Sequence, residues 1–361
     1  MLVMANVSVS MAQEAESQHG AEAAGSFKAG EFILDHIGDS YEWHVCTIGD
    51  THVSLPLPCI LYSENSGFHV FCSSNFHHGH EAYEGFQISK SEAYKGKIVE
   101  VVNGKEVRPW DFSITKNVLA LIFSVILISC IFIGMSKYYA KNKGRAPHGF
   151  YNALEMLVLF VRDDIAYASL GKKHGDKFMP FLMTVFFFIF FNNLLGLIPI
   201  LPGGANVTGN IAVTCVLALF TFVITTFSGN KHYWIDIFWP NGVPLWLKCP
   251  PIIPIVELMG VFTKPIVLMV RLFANITAGH IIALSFFSLI FIFGAKSEAV
   301  GYGVASGSVI FTVFMSVLEL LVAFIQAYVF TLLSSIYFSM AIGAGEEHEE
   351  HAAAAEVKAA N

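Results

Sequence analysis

IVELMGVFTKPIVLMVRLFANITAGHIIALSFFSLIFIF (Ile255–Phe293) decides the fold. It runs for 39 residues with three charged side chains, Glu257, Lys264 and Arg271. At about 1.5 Å per residue, a helix of that length is about 60 Å long, about twice the hydrocarbon thickness of a bilayer. A second apolar run of similar size, Val304–Ile342, carries one charge, Glu319. With a turn near Lys296–Gly303, the two predict an outward-facing hairpin of membrane helices that tilt steeply or bend.

The polar side chains of this hairpin are Glu257, Lys264, Arg271, Asn275 and His280 on the first helix, and Glu319, Gln326 and Tyr337 on the second. Charged groups at membrane depth are costly and face a cavity or a partner. At about 100° per residue, Glu319, Gln326 and Tyr337 form one stripe about 27 Å long. Asn275 sits one turn beyond Arg271 on nearly the same face, and His280 points to the opposite side. Two polar faces at different depths fit two aqueous inlets better than one straight pore. The Arg271 guanidinium keeps its proton, so it either bridges to a carboxylate of this chain or meets an anion from outside. His280 and Glu319 read as a proton relay, since His titrates near neutrality, or as a static buried pair. Asn275 and Gln326 read equally as channel lining or interhelical hydrogen bonders. Glu257 and Lys264 fit interfacial charges that snorkel as well as functional groups.

Working outward, Asn117–Met135 passes 19 residues without a charge and is long enough to span. Lys137, Lys141, Lys143 and Arg145 follow, which puts that end in the cytoplasm. His148–Leu170 is helical in period but holds Glu155, Arg162, Asp163 and Asp164, which predicts a helix along the cytoplasmic surface. Phe178–Ile200 then spans outward and Val207–Phe227 spans back. Lys231 and Lys248 bracket a cytoplasmic loop whose three Trp read as interface anchors. The expectation is an all-α polytopic membrane domain over 113–343, with about five membrane helices and one interfacial amphipathic helix. A polar cytoplasmic tail follows at 344–361.

The N-terminal part differs. Residues 1–116 hold seven Lys/Arg against fifteen Asp/Glu; the remainder holds fourteen against thirteen. The acidic part therefore sits in water. Val53–Leu57, Phe68–Cys72 and Lys97–Val101 have strand-like residues, and the Asn-Gly pair inside Val101–Val107 signals a hairpin. This predicts a small β-rich extracytoplasmic domain over 27–112, behind a leader-like stretch at 1–26. Ser10-Met11-Ala12 before Gln13 has the small residues of a signal-peptidase site. In an exported domain, one disulfide among Cys46, Cys59 and Cys72 is open. His77, His78 and His80 cluster, but with no second ligand pair they read as a solvated loop, not a metal site.

Composition closes off other classes. At 55% hydrophobic and 14% charged residues, the chain cannot be a purely soluble enzyme. A net charge of −7 without a basic patch excludes a nucleic-acid partner. Continuous rather than alternating apolar runs argue against a porin-like barrel. No phosphate-cradling GxxxxGK[ST] sequence is present, and no cofactor is expected.

RLFANITAGH (Arg271–His280), LELLVAFIQAYVFTLLSSIYFSMA (Leu318–Ala341) and FNNLLGLIP (Phe191–Pro199) resemble segments of subunit a of the F-type ATP synthases. The first resembles the family's arginine helix and the second its last helix. The resemblance covers roughly residues 113–343. It implies a non-catalytic, proton-translocating stator subunit with two half-channels to the carboxylates of a rotor ring. Arg271 would be the essential arginine, with Gln326 close to it. Asn275, His280 and Glu319 would line the outer inlet, and Glu257 the inner exit with Tyr337. Many bacterial members carry an acid at the position of His280 and a His at that of Glu319; here the two are exchanged. The implied partners are the ring of proteolipid c subunits, the peripheral-stalk b subunits, the remaining synthase subunits and lipid, in a bacterial inner membrane. Sodium selectivity would be written mainly in the ring. A self-contained secondary transporter predicts two related halves, and none is visible. A membrane-anchored binding protein predicts that the polar residues of the last two helices are dispensable.

Overall fold

The computed structural model describes residues 38–48, 51–79, 81–89, 91, 94–102, 104–143, 147–198, 205–238, 252–294 and 298–343, with single positions 30 and 33. The leader-like start, His80, Trp239, Trp246, Cys249 and the tail lie outside them, as do the side chains of Cys46, His77 and His78. The chain divides into a large unit over 37–282 and 314–361 and a small one that includes 283–313. Among the described residues, five helical stretches are long and apolar enough to cross a membrane: Lys116–Lys141, Phe150–Leu197, Ile211–Ser228, Pro254–Ile290 and Gly303–Ile342. The chain is a multi-pass membrane protein with a β-rich N-terminal region.

Among its described residues that region has eight strands in three antiparallel sheets. β1 (Glu42–Ile48) pairs with β2 (Thr51–Pro56). β3 (Pro58–Ser63) lies between β4 (Gly67–Cys72) and β8 (Trp110–Asp111). β6 (Ile98–Val102) lies between β5 (Phe86–Ile88) and β7 (Lys105–Val107). The β6–β7 hairpin turns at Gly104, whose φ of 74° suits glycine. Alternation along β3 turns Cys59 and Leu61 onto Tyr41, Phe76, Phe86 and Ile98, the core of the region. Burial pushes the Cys59 thiol up to about 12. Cys59 faces inward while Cys72 is exposed on the opposite face of the β3–β4 ladder, so these two do not bridge; both are free. Glu100 is buried, which by itself raises its pKa. The Ser63 hydroxyl and the Asn65 amide donate to its carboxylate, and the net direction is downward.

Beyond β8 the chain keeps pairing with β3, through Phe112 N to Ile60 O (2.9 Å) and Ile114 N to Pro58 O (3.1 Å). It then enters α1 (Lys116–Lys141). Thr115 at the N-cap makes no side-chain cap bond. Asp39 substitutes: its Oδ1 accepts from Asn117 N at 3.2 Å, while Ser40 O accepts from Lys116 N at 2.9 Å. A carboxylate at a helix N-terminus satisfies an orphan donor and suits the dipole. The acidic region is thus bonded directly to the first membrane helix.

The next segment is a long helical stretch interrupted at one residue, at the end of the expected His148–Leu170 helix. α2 (Phe150–Phe160), a π-turn (Val161–Tyr167) and α3 (Ala168–Leu197) follow one another without a loop. Gly171, at φ 68° and ψ 169°, breaks the path. The lysines at 172, 173 and 177 are helical, and Tyr167 OH donates to Asp176 at 2.6 Å across the break. Val207 to Asn210 are a capped turn, not a span. Asn210 accepts from Ala212 N at 3.0 Å and starts α4 (Ile211–Ser228). A short α5 (Lys231–Phe238) follows. The long α6 (Ile252–Gly294) and α7 (Glu298–Ile342) come last.

Between lipid-facing helices, association rests on packing and small residues instead of on expulsion of water. The Phe run of α3 supplies the packing. Phe187 meets Phe132 of α1 at 4.8 Å, and Phe186 and Phe190 meet Phe324 of α7 at 6.2 and 6.0 Å. Such pairs contribute about 0.5–1.5 kcal/mol each beyond their area. Buried Ala323, Ala327 and Ser334 on α7 let its neighbours approach closely. Ser335 donates to the Ile165 carbonyl inside the π-turn at 3.4 Å. In the small unit, the rings of Phe286 and Phe311 meet across the hairpin, tilted by 34°, with centroids 3.9 Å apart.

Candidate functional site

Two small cavities flank the middle of α6. The first, about 20 Å³, is lined by Asn193, Asn275, Gly279, His280 and Glu319, with Leu197, Ile276, Val322 and Ala323. That is enough for a water molecule. Gly279 lets Glu319 approach closely: a Cβ there would stand 2.7 Å from Glu319 Oε1 and push that carboxyl aside. Glu319 Oε1 is buried and accepts no hydrogen bond from the described residues. Asn193 ties α3 into this site, donating to the Ala323 carbonyl at 3.3 Å and accepting from Thr208 Oγ1 at 2.7 Å. Asn275 donates to Gln326 Oε1 at 2.7 Å, which joins α6 to α7 one turn from Arg271. Gln326 is buried, and its Nε2 lacks a partner among the described residues. Unpaired polar atoms in a dry interior are expensive, so a cavity bordered by the Glu319 carboxyl favours water.

The second cavity, about 10 Å³, is lined by Lys264, Pro265, Tyr337, Tyr233 and the hydroxyl residues Thr221, Thr225 and Thr226, among others. Lys264 Nζ stands 5.4 Å from the Tyr337 ring centroid. Glu257 is not in its lining; it is exposed on α6, two turns before Lys264. No residue lines both cavities. Buried Leu268, Leu272, Ala327 and Phe330 lie at the levels between them.

Arg271 occupies neither cavity. It is exposed near the middle of α6, among the exposed apolar Phe262, Ile266, Val267 and Val270. Among the described residues it makes no ion pair. The bridge to a carboxylate of this chain, open from sequence, is therefore not formed there.

Against known proteins, the profile of the family described as ATP synthase A chain matches residues 118–339. The chain belongs to that family. Subunit a of the ATP synthase from Chloroherpeton thalassium is 43% identical over 253 residues, 68% of this chain and 70% of its own length. Subunit a from Myxococcus xanthus is 43% identical over 245 residues, 67% and 77%. The subunit a of an Anaeromyxobacter species is 36% identical over 348 residues, 94% of this chain and 77% of its own length, so the likeness there extends through the N-terminal region. That region separately matches a domain of unknown function, DUF8433, over residues 32–112.

In this subunit a, sequence reasoning singled out Asn275, His280 and Glu319, and the structure gathers them at one cavity. It missed Asn193 as a lining residue, Thr208 as its partner, and Gly279. The Asn-Asn pair inside an apolar run was the available signal for the first. Nothing local marks the other two.

Proposed function

We propose that this subunit a passes protons across the membrane by way of rotor-ring carboxylates, through two half-channels that Arg271 keeps apart. The observation that carries the reading is Arg271 itself: an exposed, permanent cation on an apolar helix face, without an ion pair among the described residues. Left facing lipid, it would be costly. A ring of acidic side chains sliding past that face supplies the missing anion.

The first cavity serves as the outer inlet. A proton arriving past Asn193 is taken up by the His280–Glu319 pair and handed to a rotor carboxylate. Once neutral, that carboxyl enters lipid without the penalty of carrying charge. On the other side of Arg271, a second carboxyl meets water near Lys264 and Tyr337, releases its proton inward and is drawn to the guanidinium. Glu257 lies at the mouth of that exit. Gln326, held by Asn275, borders the arginine and limits where its side chain can reach. The proton's passage is worth about 2.3 kcal/mol per charge per 100 mV. The acidic N-terminal domain faces outward from a bacterial inner membrane. The lysines after α1 face the cytoplasm. The c ring and the b subunits are the direct membrane partners.

The test is ATP-driven proton pumping in inverted membranes carrying Arg271→Ala, beside passive leak after the ATPase sector is stripped. Assembly with lost pumping is expected. Normal pumping would overturn the reading.

A further inference from the structure

We propose that the N-terminal β-rich domain roofs the outer half-channel, with Trp43 holding residues 205–208 in place above His280. The idea rests on the half-channel reading above and assigns a task to a domain whose family has none.

The contacts run in a continuous series. Trp43, on β1, is buried in one cluster with Ala120 of α1 and with Ala205 and Val207 of the turn before α4. Ala205 O and His280 Nε2 flank Gly196 on α3: a Cβ built on that glycine would lie 3.7 Å from the first and 3.9 Å from the second. Thr208, one residue past Val207, donates to Asn193 in the cavity wall. The domain therefore lies on the His280 side of α6, and the turn it grips is the layer between it and the cavity.

The seam around this apolar grip is polar. Asn206 is buried between Ala205 and Val207; its Oδ1 accepts from Gly209 N at 2.8 Å, while its Nδ2 lacks a partner among the described residues. Asn117 Oδ1 and Thr115 Oγ1, at the top of α1, are likewise buried and unmatched. Asn117 shares a helix face with Ala120 and Leu121, which pack in and against the Trp43 cluster. These buried polar atoms, at the start of α1 and in the turn that Trp43 packs on, have no partner among the described residues. Bridging water would satisfy them. Such water would lead beside Trp43 to Thr208, Asn193 and the cavity. The titratable or charged groups bordering that route are Asp39 and Lys116 at the seam and His280 and Glu319 below it. Trp43 acts as a positioning residue: it fixes the turn that carries Asn206 and Thr208.

The test uses the whole ATP synthase in membrane vesicles, with Trp43→Ala, Trp43→Phe, Asn206→Leu and Glu319→Gln. Three readouts are needed: amide exchange over 205–213, ATP synthesis as a function of outer pH at fixed inner pH and potential, and ATP synthesis as a function of inner pH at fixed outer pH and potential. Trp43→Ala is expected to speed exchange of the 205–213 amides about tenfold. It should also move the outer-pH profile and leave the inner-pH profile in place, and Trp43→Phe should restore both. Asn206→Leu is expected to cut synthesis about fivefold by drying the seam. If Trp43→Ala does not assemble, Asn206→Leu decides alone. Wild-type exchange and profiles in the Trp43 and Asn206 variants, with Glu319→Gln inactive, would overturn the roof and spare the half-channel. Normal synthesis in Glu319→Gln would overturn both.

Discussion

Replacing Gly279 by alanine tests the inlet geometry with one added carbon. The new Cβ would sit 2.7 Å from Glu319 Oε1 and 3.3 Å from its Cδ and Cγ. The nearest distance falls well short of the 3.5–4.0 Å optimum for non-bonded atoms. Backbone cannot give way easily within paired helices, but the Glu319 side chain can rotate. A displaced rotamer costs about 0.5–1.5 kcal/mol, well below a typical domain's stability, so the subunit should assemble. The carboxyl would leave the cavity it shares with His280 and Asn193. If that cost falls on the conducting arrangement, about 1 kcal/mol corresponds to a roughly fivefold loss of conduction. Gly279→Val should lose more, since a branched side chain fills the space the carboxyl could retreat into. The assay is ATP-driven quenching of a pH-sensitive dye in inverted membranes, normalised to assembled complex and to ATP hydrolysis. Wild-type pumping in both variants would refute the claim that Glu319 works from its place against Gly279.

Acid should loosen the N-terminal domain. Glu100 has a depressed folded pKa, so its contribution is present above the unfolded value of about 4.3 and is lost as pH falls through the folded one; amide protection over 98–107, taken relative to the intrinsic exchange rate at each pH, should fall on acidification in wild type and much less so in Glu100→Gln. Cys72 is exposed while the Cys59 thiol is buried and pushed up to about 12. At neutral pH, iodoacetamide should therefore label Cys72 in the native complex and reach Cys59 only after denaturation, as peptide mass spectrometry would show.

The hairpin was legible because its information is local. Length against bilayer thickness, and the offsets of 319, 326 and 337 along one helix, need only the rise and twist of an α-helix. The Asn-Gly turn of the β6–β7 hairpin was readable for the same reason. The central strand β3 was not: Cys59, Ile60, Leu61 and Tyr62 are apolar in succession, so the alternation that buries Cys59 and Leu61 is hidden until the partner strands are known. The π-turn at 161–167 has no propensity signature, and its charges looked like those of a surface helix. Thr208 reaches Asn193 across 15 residues and Trp43 reaches Ala205 across 162, through tertiary contacts that no periodicity announces. Gly279 is silent for a different reason. Its contribution is an absent atom, and only the position of Glu319 gives that absence meaning.

The arrangement also explains why conduction needs a second protein. From Lys264 to Asn275 along α6 is about 16 Å, and from Tyr337 to Ala323 along α7 about 21 Å. Over that interval the interior is filled by Leu268, Leu272, Ala327 and Phe330. The Asn275–Gln326 bond borders the outer cavity; farther along α7 the buried Thr331 and Ser334 donate to the Ala327 and Phe330 carbonyls of their own helix, and among the described residues no hydrogen bond joins them to Gln326, although Ser334 meets Thr221 of the second cavity. On the mechanism proposed above, a proton that reaches Glu319 finds no continuous hydrogen-bonded route to the other cavity among the described residues. It must leave the chain and return farther down, which requires a carrier at the exposed face of α6. Arg271 stands on that face at the level of the apolar interval. In the proposed mechanism, packing inside the subunit hinders the short circuit, and outside it the fixed cation would stop a protonated carrier from crossing directly, because an ionised carboxylate is the form it attracts. Both barriers have to hold for proton flow to be coupled to rotation, and they occupy the same stretch of α6.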